Sequence, residues 1–147
     1  MYLLDTNIVS LIAPARRRGE AEAAVAQWVV ARSDRLFLSV ITAAEIEEGI
    51  ARARREGATA KAGRLLEWWQ EIVHYWHDRI LPLDLDAARH TGLLLDRARQ
   101  AGIAPGFEDA AIAAIAAAND LRVVTRNIRH FRPLGIDCLD PFTTLPA

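Results

Sequence analysis

A single cysteine, Cys138, leaves the chain without any internal disulfide. That excludes a disulfide-stapled secreted scaffold and fits a reducing compartment, so a cytoplasmic protein is expected. No apolar run is long enough to cross a bilayer, and no membrane role is expected. The start, "MYLLDTNIVS", lacks the basic stretch and small-residue cleavage site of a signal peptide. Charge of one sign is missing too. The 18 Lys and Arg against 19 Asp and Glu leave a net −1, so any RNA partner must be drawn by local clusters. Lysine is almost absent: Lys61 is the only one. The arginines gather in "ARRRG" (Arg16 to Arg18), "ARARRE" (Arg52 to Arg55) and "TRNIRHFR" (Arg126 to Arg132). No repeat, low-complexity tail or linker divides residues 1–147, which predicts one domain with its own core.

What is present is an alternation of short apolar runs and helical patterns. Tyr2 to Leu4, "RLFLSV", "LRVVT" and "DCLDPF" read as strands, and "ILPLDLD" as extended chain. "TNIVSLIA" reads as a short helix closed by Pro14. Longer helical patterns cover Glu20 to Arg32, "TAAEIEEGIARARREG", Thr59 to Asp78, Asp86 to about Gln100, and "FEDAAIAAIAAAN". Strands alternating with helices predict a three-layer α/β/α sandwich with a mainly parallel sheet. In such sheets, sites form beyond the carboxyl ends of the strands.

The acids sit where that rule points. Asp5 follows a strand and fits an N-cap. Thr42-x-x-Glu45 fits a capping box. Glu108 and Asp109 fall in a first helical turn, where negative charge suits the helix dipole. Each has a purely structural account. Together, Asp5, Glu45 and Asp109 fall near helix starts, and "LRVVT" ends at Thr125, Arg126 and Asn127. A parallel sheet would gather these points at one edge. Carboxylates brought together repel, and a divalent cation relieves them. Oxygen ligands without a Cys or His cluster favour magnesium, or manganese, over zinc. Such an ion suits phosphodiester hydrolysis by a metal-activated water.

The blocks "LLDTNIVS", "SVITAAEIEEGI" and "GFEDAAIAAIAAANDLRVVTRNIRHF" resemble, in order and spacing, the PIN-domain ribonucleases, and most closely the VapC-type toxins of bacterial toxin–antitoxin pairs. The resemblance covers essentially the whole chain. It implies that Asp5, Glu45 and Asp109 are the family's acids, with Thr6 and Asn7 as polar neighbours that orient the site. The fourth position, often Asp in the family, falls at Asn127, which offers a carbonyl oxygen but no charge. Asp5, Asp109 and Asn127 are thus the expected metal ligands, Asp5, Glu45 and Asp109 the catalytic acids, and Thr125 a supporting residue. Arg126 and Arg129 are the expected RNA contacts, with Arg16 to Arg18 as looser ones. The resemblance also implies homodimerisation and a small antitoxin partner, through which alone DNA would be bound. The antitoxin tail would fold on an apolar groove near Ile8, Leu11 and Val25.

Other features carry less. The aromatics of "EWWQEIVHYWHD" suit a core or a protein–protein face better than base stacking. His74, His77 and His90 lack metal-ligand spacing. His130, nearer the acids, fits either a phosphate contact or a structural role. A dehalogenase-like phosphatase would need Asp where Asn7 stands, and a receiver domain a late Lys. A different class stays open: a PIN-like binding module with weak or lost nuclease activity, whose main task is to hold a DNA-binding partner. Metal-dependent RNA cleavage separates the two.

Overall fold

A computed structural model of the chain describes residues 1–14 and 17–146. Five strands form one all-parallel sheet: β1 (Tyr2–Leu4), β2 (Leu36–Ser39), β3 (Ile80–Leu81), β4 (Arg122–Val124) and β5 (Cys138–Leu139), in spatial order β3-β2-β1-β4-β5. Seven α-helices connect or flank them among the described residues: α1 (Thr6–Val9), α2 (Glu20–Ala31), α3 (Val40–Arg55), α4 (Thr59–Trp76), α5 (Leu85–Gln100), α6 (Phe107–Ala118) and α7 (Ile128–Phe131).

Alternation along the strands divides the core into two layers. Leu4, Leu36, Leu38 and Val124 face α1 to α4, where Ile8, Val29, Ile46 and Trp69 pack on them. Leu3, Phe37 and Val123 face the other way, against Ala87 and Leu94 of α5, the buried alanines of α6 and Phe131 of α7. The small side chains of α6 let its axis approach the sheet closely; Ala110, Ala111, Ala113 and Ala114 have no exposed surface. The expected three-layer α/β/α sandwich is the one formed.

Three local expectations change. Helix α3 starts at Val40, not at Thr42, because Ser39 ends β2 and its Oγ accepts the Thr42 backbone N–H at 3.1 Å. No Thr42–Glu45 capping box forms, so the Glu45 carboxylate is not used up in capping. Helix α5 opens on Asp84 rather than Asp86, through an Asp84 Oδ1 bond to the Ala87 N–H at 2.8 Å. Ile8, Leu11 and Val25 lie in the core at 1% exposure or less, and so cannot line a groove. The aromatics of α4 split by helical phase: Trp69 and Trp76 are buried, whereas Tyr75 is 74% exposed.

The order of the sheet decides where a site can stand. The chain runs outward from β1 to β2 and β3, then returns to lay β4 on the opposite side of β1. The carboxyl ends of β1 and β4 are therefore the topological switch point, where open α/β sheets form their crevice. Asp5 directly follows β1, Thr125 directly follows β4, and the Asp5 N–H donates to the Val124 carbonyl at 3.0 Å.

Candidate active site

A carboxylate at the end of a core strand is costly unless it is satisfied. Asp5 is only 5% exposed, and three donors meet it. Oδ1 accepts the Thr6 N–H at 2.8 Å, and Oδ2 accepts the Thr125 hydroxyl at 2.7 Å and the Asn7 amide at 2.6 Å. Burial nevertheless pushes the Asp5 carboxyl up to about 6, helped by the charges of Asp109 and Glu45 and opposed by the Thr125 and Thr6 bonds.

Glu45 arrives from the second turn of α3. Its Oε2 accepts the Thr6 hydroxyl, and that hydroxyl lies 3.2 Å from Thr42 Oγ1. Thr42 Oγ1 in turn is 3.3 Å from Ser39 Oγ. Thr42 and Ser39 have no exposed surface, so a buried row of hydroxyls backs Glu45. Its carboxyl is raised, first by burial, then by Asp109, Glu108 and Glu48, against the lowering effect of Thr6. Thr6 thus holds one acid by its backbone and another by its side chain.

Asp109 comes from the first turn of α6. Its Oδ2 lies 3.0 Å from His130 Nδ1 on α7, and a quarter of its side chain is exposed. Asn127 follows β4, and its backbone N–H donates to Thr125 Oγ1 at 2.9 Å. Its half-buried side chain makes no hydrogen bond among the described residues, which leaves the amide oxygen open to a ligand.

The electrostatics join Asp5, Glu45 and Asp109 into one field: each of the two raised carboxyls is raised in part by Asp109. Among the described residues no group of three His, Cys, Asp or Glu side chains forms a closed metal cage. The donor set still fits magnesium, a hard ion that takes few carboxylates and keeps several waters. Asp5, Asp109 and the Asn127 oxygen are the groups that could hold it.

The flanking cations divide. Arg126 is committed elsewhere: it lies 3.6 Å from Glu22 and stacks on the Phe142 ring at 4.5 Å, with 48% of its side chain exposed. Arg129 is exposed and makes no ion pair among the described residues. Arg18 binds the Leu11 and Ala13 carbonyls and so serves the local chain. Arg17 is exposed, and Arg16 lies outside the described residues. Reading the sequence missed the Ser39–Thr42–Thr6 hydroxyl row. Ser39, a good cap residue at the end of an apolar run, was its available signal. His130 has a definite partner, Asp109, which local sequence could not name.

Comparison with known proteins agrees with this geometry. A PIN-domain family model matches residues 2–135. The plasmid stability protein StbB of Pseudomonas syringae pv. tomato is 36% identical over 97% of this chain and 99% of its own length. The VapC ribonuclease Y4jK of Sinorhizobium fredii is 34% identical over 97% of this chain and 98% of its own. Among solved structures, FitAcB from Neisseria gonorrhoeae matches with a TM-score of 0.82 and 30% identity, over 97% of this chain and 99% of that one. DNA-bound VapBC from Salmonella typhimurium matches with a TM-score of 0.70 and 27% identity, over 95% and 96%. The chain belongs to the PIN-domain family, in its VapC-type branch.

Proposed function

We propose that this protein is a magnesium-dependent endoribonuclease and the toxin of a toxin–antitoxin pair. The observation that carries the reading is the buried Asp5 carboxylate, raised by burial and by Asp109 and Glu45 at the switch point of the sheet. Magnesium, or manganese, when bound, supplies a metal-activated water and stabilises the charged transition state. Asp5, Asp109 and Asn127 hold the ion, and Asp5, Glu45 and Asp109 are the catalytic acids. Thr6 aims Glu45, while Asn7 and Thr125 fix the Asp5 carboxylate. Arg129 contacts substrate phosphate, and the exposed half of Arg126 adds positive charge beside it. No Ser, Cys or other His stands as a nucleophile with a base among these residues, which leaves water as the attacking group.

A cytoplasmic nuclease of this kind needs restraint. The partner is an antitoxin, as in the VapBC complex, and DNA is bound only through it. Two copies of the chain form a homodimer. No helix among the described residues is long and apolar enough to cross a membrane. The neutral Asn127 supports a second reading, a binding module with weak or no nuclease activity.

The deciding experiment is RNA cleavage by the purified chain with magnesium or manganese, with chelator, and with Asp5→Asn. Cleavage that needs the ion and vanishes in the variant is expected. Full activity in chelator or in Asp5→Asn would overturn the nuclease reading.

A further inference from the structure

The segment that follows β5, residues 140–146, is pinned at both of its ends. The parallel register pairs Val124 with Leu139, and the Thr125 N–H donates to the Leu139 carbonyl at 3.0 Å. The chain therefore leaves β4 and β5 side by side, at the carboxyl edge where Asp5 stands. Asp140 then makes a turn. Its Oδ1 accepts the Phe142 N–H at 2.9 Å, and its carbonyl accepts the Thr143 N–H at 3.1 Å. Buried Pro141 restricts the backbone within that turn. Phe142, half-buried, packs on the core layer that α2 shares. At the far end the Trp28 indole N–H, from α2, donates to the Pro146 carbonyl at 2.9 Å. Arg126 lies against this segment. Its Cζ is 4.5 Å from the Phe142 ring centroid, and its Nη1 is 3.6 Å from Glu22 Oε1. Its backbone N–H donates to Asn7 Oδ1 at 3.3 Å, and the Asn7 amide in turn holds Asp5 Oδ2. Both ends of one long side chain are thus fixed relative to the acids.

We infer that Phe142 is a positioning residue, which holds the Arg126 guanidinium ready for a substrate phosphate beside the acids. The inference rests on the nuclease reading and adds to it a residue that acts through another. An unrestrained Arg side chain has much rotamer freedom to lose when it grips a phosphate. One already laid on a ring loses less at that moment, and such preorganisation tightens the contact. The stack uses the flat face of the guanidinium, whereas its N–H donors point outward in the plane. At 3.6 Å the Glu22 carboxylate attracts the charge without a hydrogen bond, so it leaves those donors for another acceptor. With 48% of the Arg126 side chain exposed, an incoming phosphate can reach them. Only Arg can be held in this way: its planar cation stacks on an aromatic face and still presents a two-pronged edge. Glu22 draws the side chain to one side, and Phe142 sets its plane.

The test is a double-mutant cycle on the whole chain: unaltered, Phe142→Leu, Arg126→Ala and both together. The probe is a fluorescently labelled, mixed-sequence single-stranded RNA, cleaved with magnesium or manganese under steady-state conditions. Phe142→Leu keeps an apolar side chain on the core and removes the ring face. KM should rise about two- to fivefold, the worth of an exposed cation–π contact, with kcat unchanged. In the Arg126→Ala background the same replacement should change nothing. Phe142→Tyr restores a ring and should restore KM. A merely structural role would carry the loss into the Arg126→Ala background, and that outcome overturns the inference. So does an unchanged KM in Phe142→Leu. If circular dichroism shows Phe142→Leu unfolded, Arg126→Lys takes its place, since it keeps the charge and loses the planar stack; wild-type KM there is the contrary result. Nitrogen-15 relaxation of the Arg126 Nε, without RNA or metal, gives a reading apart from activity. That group should be ordered in the unaltered chain and in Phe142→Tyr, and mobile in Phe142→Leu; equal order in all three overturns the inference. Absence of cleavage by the unaltered chain would defeat the nuclease reading, and the phosphate role with it. Cleavage with an unshifted KM would defeat the role of Phe142 alone.

Discussion

The Thr125 hydroxyl donates to Asp5 Oδ2 at 2.7 Å although the two residues are 120 positions apart. The bond spans the switch point between β1 and β4. It anchors the acid whose burial gives the site its unusual charge state. It also makes Thr125 the residue most clearly tied to both fold and chemistry.

Replacing Thr125 by Val keeps shape and removes the donor. Asp5 then loses the largest influence that lowers its pKa and should rise above about 6. The Asn127 N–H loses its acceptor as well. Stability should fall by about 1–3 kcal/mol, the cost of leaving buried polar groups unsatisfied. Urea unfolding of the two proteins measures it, and equal midpoints would mean that the bond contributes nothing.

Asp5 also makes stability depend on pH in an unusual direction. Its carboxyl sits at about 6 when folded, against 3.8 for the ordinary side chain. Between those values the native state holds a proton that the unfolded chain has released. Without metal, this group's contribution to stability is greatest below about pH 4, declines as pH rises toward 6, and levels off above. The full swing is about 3 kcal/mol. Asp5→Asn should remove it. Melts in chelator across this range, compared between wild type and variant, should show curves that converge toward acid pH. Parallel curves would contradict it. Magnesium competes with the proton, so its stabilising effect should grow with pH.

Thr6 joins two acids, and removing its hydroxyl should disturb only one. Thr6→Val keeps the backbone bond to Asp5 and loses the bond to Glu45. Losing such an orienting partner typically lowers activity about 10- to 100-fold. Thr6→Ser should recover most of it. Rates with magnesium for the three proteins decide, and an equal loss in Ser and Val would argue for packing instead.

Asn127 sets the charge of the metal site. Asn127→Asp adds a carboxylate and should tighten magnesium binding. Calorimetry on the two forms tests this, with equal or weaker affinity in the Asp form as the contrary result.

Much was legible from order and spacing alone. The strands, the long helices and the parallel three-layer fold followed from periodicity, because apolar spacing reflects which face each local segment must bury. Asp5 as a helix cap, and Asp109 in a first helical turn, were visible for the same reason, whereas Glu45 stands in the second turn of α3. Local patterns misplaced the start of α3, where Ser39 outcompeted Thr42, since several cap residues stood within reach and the strand's end chose among them. What only the tertiary structure decided were relations between distant segments. Glu22 and Phe142 engage Arg126, His130 pairs with Asp109, and Ile8, Leu11 and Val25 vanish into the core rather than line a groove. The sheet order β3-β2-β1-β4-β5 brings Thr125 to Asp5. A sequence determines what each segment needs to bury or satisfy within a few residues. Which distant group meets that need depends on the strand order and helix packing that the whole chain adopts together.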